Sequence, residues 1–136
     1  MANFYEDNDD LRFYVEKGID WAPLYEHTQL LGAVYENLDE AKETWADTLR
    51  LLGEFSAEEI APFQAELDSQ KNELIDGDVR FGARIDTIFQ QLKEMGVHGL
   101  CMPGALGGLN APLITCLLYT SPSPRDVEES RMPSSA

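Results

Sequence analysis

The sequence predicts an all-α fold with one small hairpin. Three observations predict it. From Asn37 to Asp68 the apolar residues recur with a helical period. Shorter runs of the same period flank that stretch on both sides. Hairpin turn chemistry, Asp76-Gly77 between short apolar pairs, marks the segment near 73–81.

Taken in chain order, residues 1–36 read as an N-terminal extension of two short helices. Asp7-Asn8-Asp9-Asp10 offers N-caps for the first, which carries Leu11, Tyr14 and Val15, with Phe13 beside them, and ends at Gly18. Asp20 caps the second, which has Pro23 in its first turn and carries Leu24, Tyr25, Leu30, Leu31 and Val34. Helices this short are not stable alone, so both are expected to dock on the long helix.

In that long stretch, stepping about 100° per residue puts Leu38, Trp45, Leu49, Leu52, Ile60, Phe63 and Leu67 on one stripe about 80° wide. Glu43, Asp47, Arg50, Glu54 and Asp68 fall opposite. Asn37 is in N-cap position, with Glu40 placed for a capping box. Asp39 and Glu40 suit the helix dipole. Gly53 costs about 1 kcal/mol in a helix interior. Pro62 removes a donor and crowds the Glu58 carbonyl, so a kink is expected there. The phase runs on through Pro62. That favours one kinked helix over two, 38–60 and 62–68.

A further helix follows at about Ala83 to Met95, with Ile85, Ile88, Phe89, Leu92 and Met95 on one face and Gly96 as its C-cap. The stripe of the long helix is expected to pack against this helix and the N-terminal pair. Val97 to Gly108 is a Gly/Pro-rich loop. Asn110 or the residue after it starts a last helix through Pro112, Leu113 and Ile114.

The totals exclude several functions. The chain has 136 residues, 43% hydrophobic and 26% charged, which is one globular domain or part of one. A net charge of −15 argues against binding a nucleic acid backbone or an anionic membrane. No apolar run approaches the roughly 18 residues of a membrane span, and no signal peptide opens the chain. The two cysteines, Cys101 and Cys116, make neither a disulfide framework nor a metal spacing. A cytoplasmic, reducing compartment is the default expectation.

The catalytic inventory is thin, and no residue is assigned as catalytic or as a metal ligand. His27 and His98 are far apart in sequence. His98, in a loop beside Cys101, reads as a packing residue rather than a base. Glu58-Glu59 reads as a solvated helix face. Asp76-Gly77-Asp78 lacks the remaining ligands and closing Glu of an EF-hand. Met102-Pro103-Gly104-Ala105-Leu106-Gly107-Gly108 lacks the Lys-Ser/Thr of a phosphate loop and the preceding strand of a dinucleotide fold.

The order of the motifs says more than any single residue. Glu58-Glu59-Ile60-Ala61-Pro62 is followed by Ala65, Glu66 and Asp68. Then come Leu92-Lys93-Glu94-Met95-Gly96-Val97 and, after Pro103 and three residues, Gly107-Gly108. This series resembles the N-terminal helical domain of the acyl-CoA dehydrogenase family, over about Asp39 to Leu113. The Asn8–Phe13 opening and the 72–81 loop look like its longer bacterial members. Gly104 and Ala105 stand where the family often has Glu, and Gln64 where it has Ala. Those departures bear on loop geometry.

The resemblance implies a flavoenzyme of fatty acid metabolism. It would oxidise an acyl-CoA between its α and β carbons, with a Glu base taking the proton and FAD the hydride. It also implies an electron-transfer acceptor and a homo-oligomeric parent. The family's flavin contacts lie mainly in a middle β-domain and a C-terminal helical bundle, and the bundle carries the base. Residues 37–115 would then be an incomplete first domain, inactive by itself. Gly107 and Gly108 match the loop that leads towards the active-site side. Residue-level flavin contacts within this part stay unassigned. The competing reading is a stand-alone acidic helical module that binds a protein partner.

Residues 116–136 read as a non-native, disordered tail. Cys116–Asp126 and Ser130–Ala136 translate two fixed strings of a transposase-type sequencing-library adapter in one frame. Val127-Glu128-Glu129 fills the gap of an index between them. The competing reading is a genuine Pro/Ser-rich tail. At most Cys116 to Tyr119 are expected to extend the last helix.

Overall fold

The computed structural model describes residues 2–120, with side chains through Leu118. The chain is mostly helical, with one two-stranded hairpin. It runs α1 (Asp9–Phe13), a π turn (Tyr14–Gly18), α2 (Trp21–Gln29) and α3 (Leu38–Phe55). A second π turn (Ser56–Ile60) and a 3-10 turn (Ala61–Phe63) lead into α4 (Gln64–Ser69). The hairpin β1 (Glu73–Ile75) and β2 (Asp78–Arg80), α5 (Ala83–Glu94), two 3-10 turns and α6 (Leu113–Thr120) complete it.

The caps form as the sequence dictates. Asn8 Oδ1 accepts the N–H groups of Asp10 and Leu11, and Asp20 Oδ1 that of Ala22. Asn37 Oδ1 accepts the Glu40 N–H at 2.9 Å. Glu40 reaches back one residue further than a standard capping box, to the Glu36 N–H at 2.7 Å. The hairpin pairs Leu74 with Val79 across Asp76 (φ 52°) and Gly77 (φ 89°), the left-handed pair that a two-residue turn of this type requires.

The long stretch stays helical from Leu38 to Ser69, but not as one α-helix and not as the pair 38–60 and 62–68. The α ladder ends at Phe55. The wider π turn then carries Ala61 N–H to the Ser56 carbonyl, and a 3-10 turn takes up Pro62. A change of ladder, rather than one broken bond, accommodates the missing proline donor. Gly53 also has a reason. The N-terminal segment lies on it, with Phe4 N–H donating to the Gly53 carbonyl at 3.2 Å. A Cβ there would strike Asn3 Oδ1 and the backbone of Tyr5. Asn3 clips the same turn by donating to the Arg50 carbonyl.

The core sits on the first half of α3. Trp21 and Trp45 ring centroids are 5.4 Å apart, and Tyr35 meets Trp45 edge-on at 5.8 Å. Val15, Ala41, Leu49, Leu100 and Ala111 close around them. Two expectations are corrected here. First, α2 stops at Gln29, and Gly32 turns the chain at φ 104°, so Leu30, Leu31 and Val34 lie outside the helix and exposed. The buried face of α2 is Trp21 and Thr28 instead. Second, α3 packs mainly on α2 and α6, whereas α5 packs on α4. No residue of α4, α5 or the hairpin is fully buried. Gly96 follows the Met95 cap in the left-handed conformation (φ 71°).

The last helix starts at Leu113 and runs to Thr120. Cys116 and Leu118 are half-buried against the core; Cys116 to Tyr119 extend the last helix as expected, and it runs one residue further, to Thr120. The rest of the expected disordered tail, residues 121–136, lies outside the described residues.

Candidate functional site

The loop from Val97 to Ala111 holds the end of the motif series, with Pro103, Gly107 and Gly108, and its shape follows from its backbone bonding. It folds back on itself. Leu109 N–H donates to the Gly99 carbonyl, Asn110 N–H to Met102 and Ala111 N–H to Leu100. Gly107 takes a left-handed φ of 82°. Gly108 lies so close to the Met102 and Gly99 carbonyls that any Cβ would run into them. Both glycines are therefore required by geometry, one for its dihedral and one for its lack of a side chain.

Asn110 fixes this loop to the rest of the molecule. It is 1% exposed, at a φ of 49° that asparagine tolerates better than most residues. Its amide donates to the Thr28 carbonyl at 2.7 Å and to the Gly32 carbonyl at 3.0 Å. It thus satisfies the frayed end of α2 and serves as a staple, not as the start of a helix. Tyr35 adds a second tie, its hydroxyl donating to the Leu109 carbonyl at 2.6 Å. Burial pushes that hydroxyl above the ordinary phenol value. The Trp45 indole N–H opposes the shift, although its geometry falls short of a hydrogen bond. Burial raises Tyr5 in the same direction, and the Glu16 charge adds to it.

The other candidate residues are scattered. His27 is exposed on the last turn of α2. His98 is exposed and stacks on Phe89 at 6.5 Å between centroids. Glu58 is exposed as expected, and Glu59 is only partly covered but has a partner. Its carboxylate accepts from Arg84 Nη2 at 3.0 Å, and its carbonyl accepts from the same nitrogen at 2.8 Å. The Arg84 guanidinium also lies 3.5 Å over the Phe63 ring. A part-buried pairing across 25 residues leaves no trace in local periodicity, so Glu59 looked like its neighbour. Asp76 and Asp78 belong to the hairpin, and no group of metal-ligating side chains occurs among the described residues. Cys101 and Cys116 come together, Sγ to Sγ at 2.9 Å, which their spacing gave no ground to expect.

The cleft at the N-terminal end is lined by Ala2, Asn3, Phe4 and Asp7 to Asp10. Its carboxylates would repel a pyrophosphate. A second, shallow cleft lies between Phe55 and Gln91, Glu94 and Met95, again beside an acid. No described helix is long and apolar enough to cross a membrane. Comparison with protein-family models, with curated proteins and with solved structures finds no match.

Proposed function

We propose that this chain is the N-terminal helical part of an FAD-dependent acyl-CoA dehydrogenase and is inactive as it stands. One observation carries the reading: motif residues occur in the family's order, and the loop that ends the series needs glycine at both Gly107 and Gly108. Apolar side chains left uncovered on the hairpin (Leu74, Val79), on the link after it (Phe81) and on α5 (Phe89) fit a domain that lacks its neighbours. Flavin, when bound to the parent, would accept the β hydride of the acyl thioester. In this chain the residues shape and anchor the loop only, so no proton or hydride step is assigned to them. The purified chain is expected to be colourless and to leave an artificial electron acceptor unreduced when given acyl-CoA. A flavin absorption band on the protein would contradict that.

The second reading, a stand-alone interaction module, is favoured by the Trp21/Tyr35/Trp45 core, which closes without further protein. Re-amplification of the locus from source DNA separates the two. The dehydrogenase reading expects the frame to leave the present sequence near codon 115 and continue into a β-domain and a helical bundle. Codons 116–136 recurring there before a stop would refute it.

A further inference from the structure

We propose that Cys101 and Cys116 form an intramolecular redox latch, closing to a disulfide that ties α6 to the 97–111 loop. The latch is independent of the functional reading above and is a property of this chain. Cys116 opens the segment that reads as adapter, so the latch is not assigned to the parent.

The geometry points to it from both sides. Cys101 follows Leu100, the fully buried residue that caps the 3-10 turn Val97–Gly99. Cys116 lies in the first turn of α6, whose Thr115 N–H is held by the Pro112 carbonyl. The two sulfurs are 2.9 Å apart, and Cys101 Sγ also lies 3.7 Å from the Pro112 carbonyl. Closure to a bond length of about 2.05 Å needs a shift of about 1 Å. Loop and helix are both anchored already, through Asn110 and the core contacts of Cys116 and Leu118. Little chain entropy is therefore left to lose, and the effective concentration of one thiol at the other is high.

The reaction balances with glutathione disulfide as oxidant. One cysteine thiolate attacks a sulfur of glutathione disulfide, breaks its S–S bond and releases one glutathione. The second thiolate then attacks the protein sulfur of that mixed disulfide, forms the Cys101–Cys116 bond and releases the other glutathione. The protein loses two protons and two electrons, and the oxidant takes them up to become two reduced glutathiones. Burial, reinforced by the neighbouring sulfur, pushes the Cys101 thiol up to about 12. The latch is therefore slow to close near neutral pH and closes faster as pH rises.

The test equilibrates the full chain in a glutathione redox buffer, quenches with N-ethylmaleimide and reads the intact mass. The expected product is a monomer without adduct, lighter by two hydrogens, in at least roughly tenfold excess over the mixed disulfide. In denaturant that excess should fall, because the anchors are gone. Cys116→Ser should carry glutathione or maleimide on Cys101 and show no loss of hydrogen. Maleimide on both cysteines after exposure to glutathione disulfide would overturn the proposal. So would a glutathione on each, a covalent dimer, or the same excess in denaturant.

Discussion

The two halves of the molecule share one sequence style and differ in what they bury. From Tyr5 to Gly53, with the loop and α6 folded back on them, large side chains disappear into a common core, and Trp45 is 1% exposed. From Ser56 to Glu94 the amphipathic pattern is just as clear, yet nothing in α4, α5 or the hairpin is fully buried. The difference teaches that periodicity fixes which face is apolar and not whether another element covers it. In the first half, long-range ties decide the matter: Asn110 to α2, Tyr35 to Leu109, Asn3 to α3. In the second, the comparable ties come from Arg84, whose guanidinium sits on Glu59 and Phe63 and whose backbone N–H donates to Gln70 Oε1, joining α5 to α4 and the turns before it.

The largest contrast comes from placing a charge on each half of the same stripe. Leu52→Asp puts an unpaired carboxylate at a buried site and should cost about 3–5 kcal/mol, enough to unfold the chain. Leu67→Asp, on the half-buried end, should cost about 1 kcal/mol or less. Thermal melts by circular dichroism check both, and equal shifts would break the comparison.

A smaller effect is expected at the staple. Asn110→Ala removes the donors to the Thr28 and Gly32 carbonyls and puts a less tolerant residue at a positive φ. About 2–3 kcal/mol should be lost in urea unfolding. A loss below about 0.5 kcal/mol would mean the loop is held by something else.

The smallest effect concerns pH. Tyr35 has a folded pKa above its unfolded value of about 10. Its unionised form is therefore favoured by folding. That contribution is fully present below pH 10 and is lost as pH rises through the higher folded value. Stability should fall on the alkaline side. Tyr35→Phe should flatten part of that fall while costing about 1 kcal/mol at neutral pH for the lost bond to Leu109. An alkaline limb unchanged by the substitution would exclude Tyr35 as its source.

Much of this fold was legible in the sequence, and the reasons are local. Asn8, Asp20 and Asn37 cap their helices because capping is decided within three residues. Asp76-Gly77 turns because the two residues set their own dihedrals. The end of α2 was misread because Leu30, Leu31 and Val34 keep the helical phase, while Gly32 takes the chain out of the helix. The unbroken phase through Pro62 hid a switch from α to π to 3-10. The partner of the long helix was misassigned because α5 and α6 are both apolar enough to fit. Sequence alone does not say that Asn110 draws α6 home. Gly53 looked like a defect until the N-terminal segment of residues 3–5 was seen to need the space. The candidate loop was visible as a run of glycines. Its shape was not, since Gly108 is explained by carbonyls six and nine residues away.

Hydrogen exchange on the intact chain tests the central claim, that one half is finished and the other is left open, most directly. Amides of α2 and of α3 through Leu52 should open only with global unfolding. Those of α4, the hairpin and α5 should exchange faster by at least about a hundredfold, through local opening. Equal protection across both halves would contradict it.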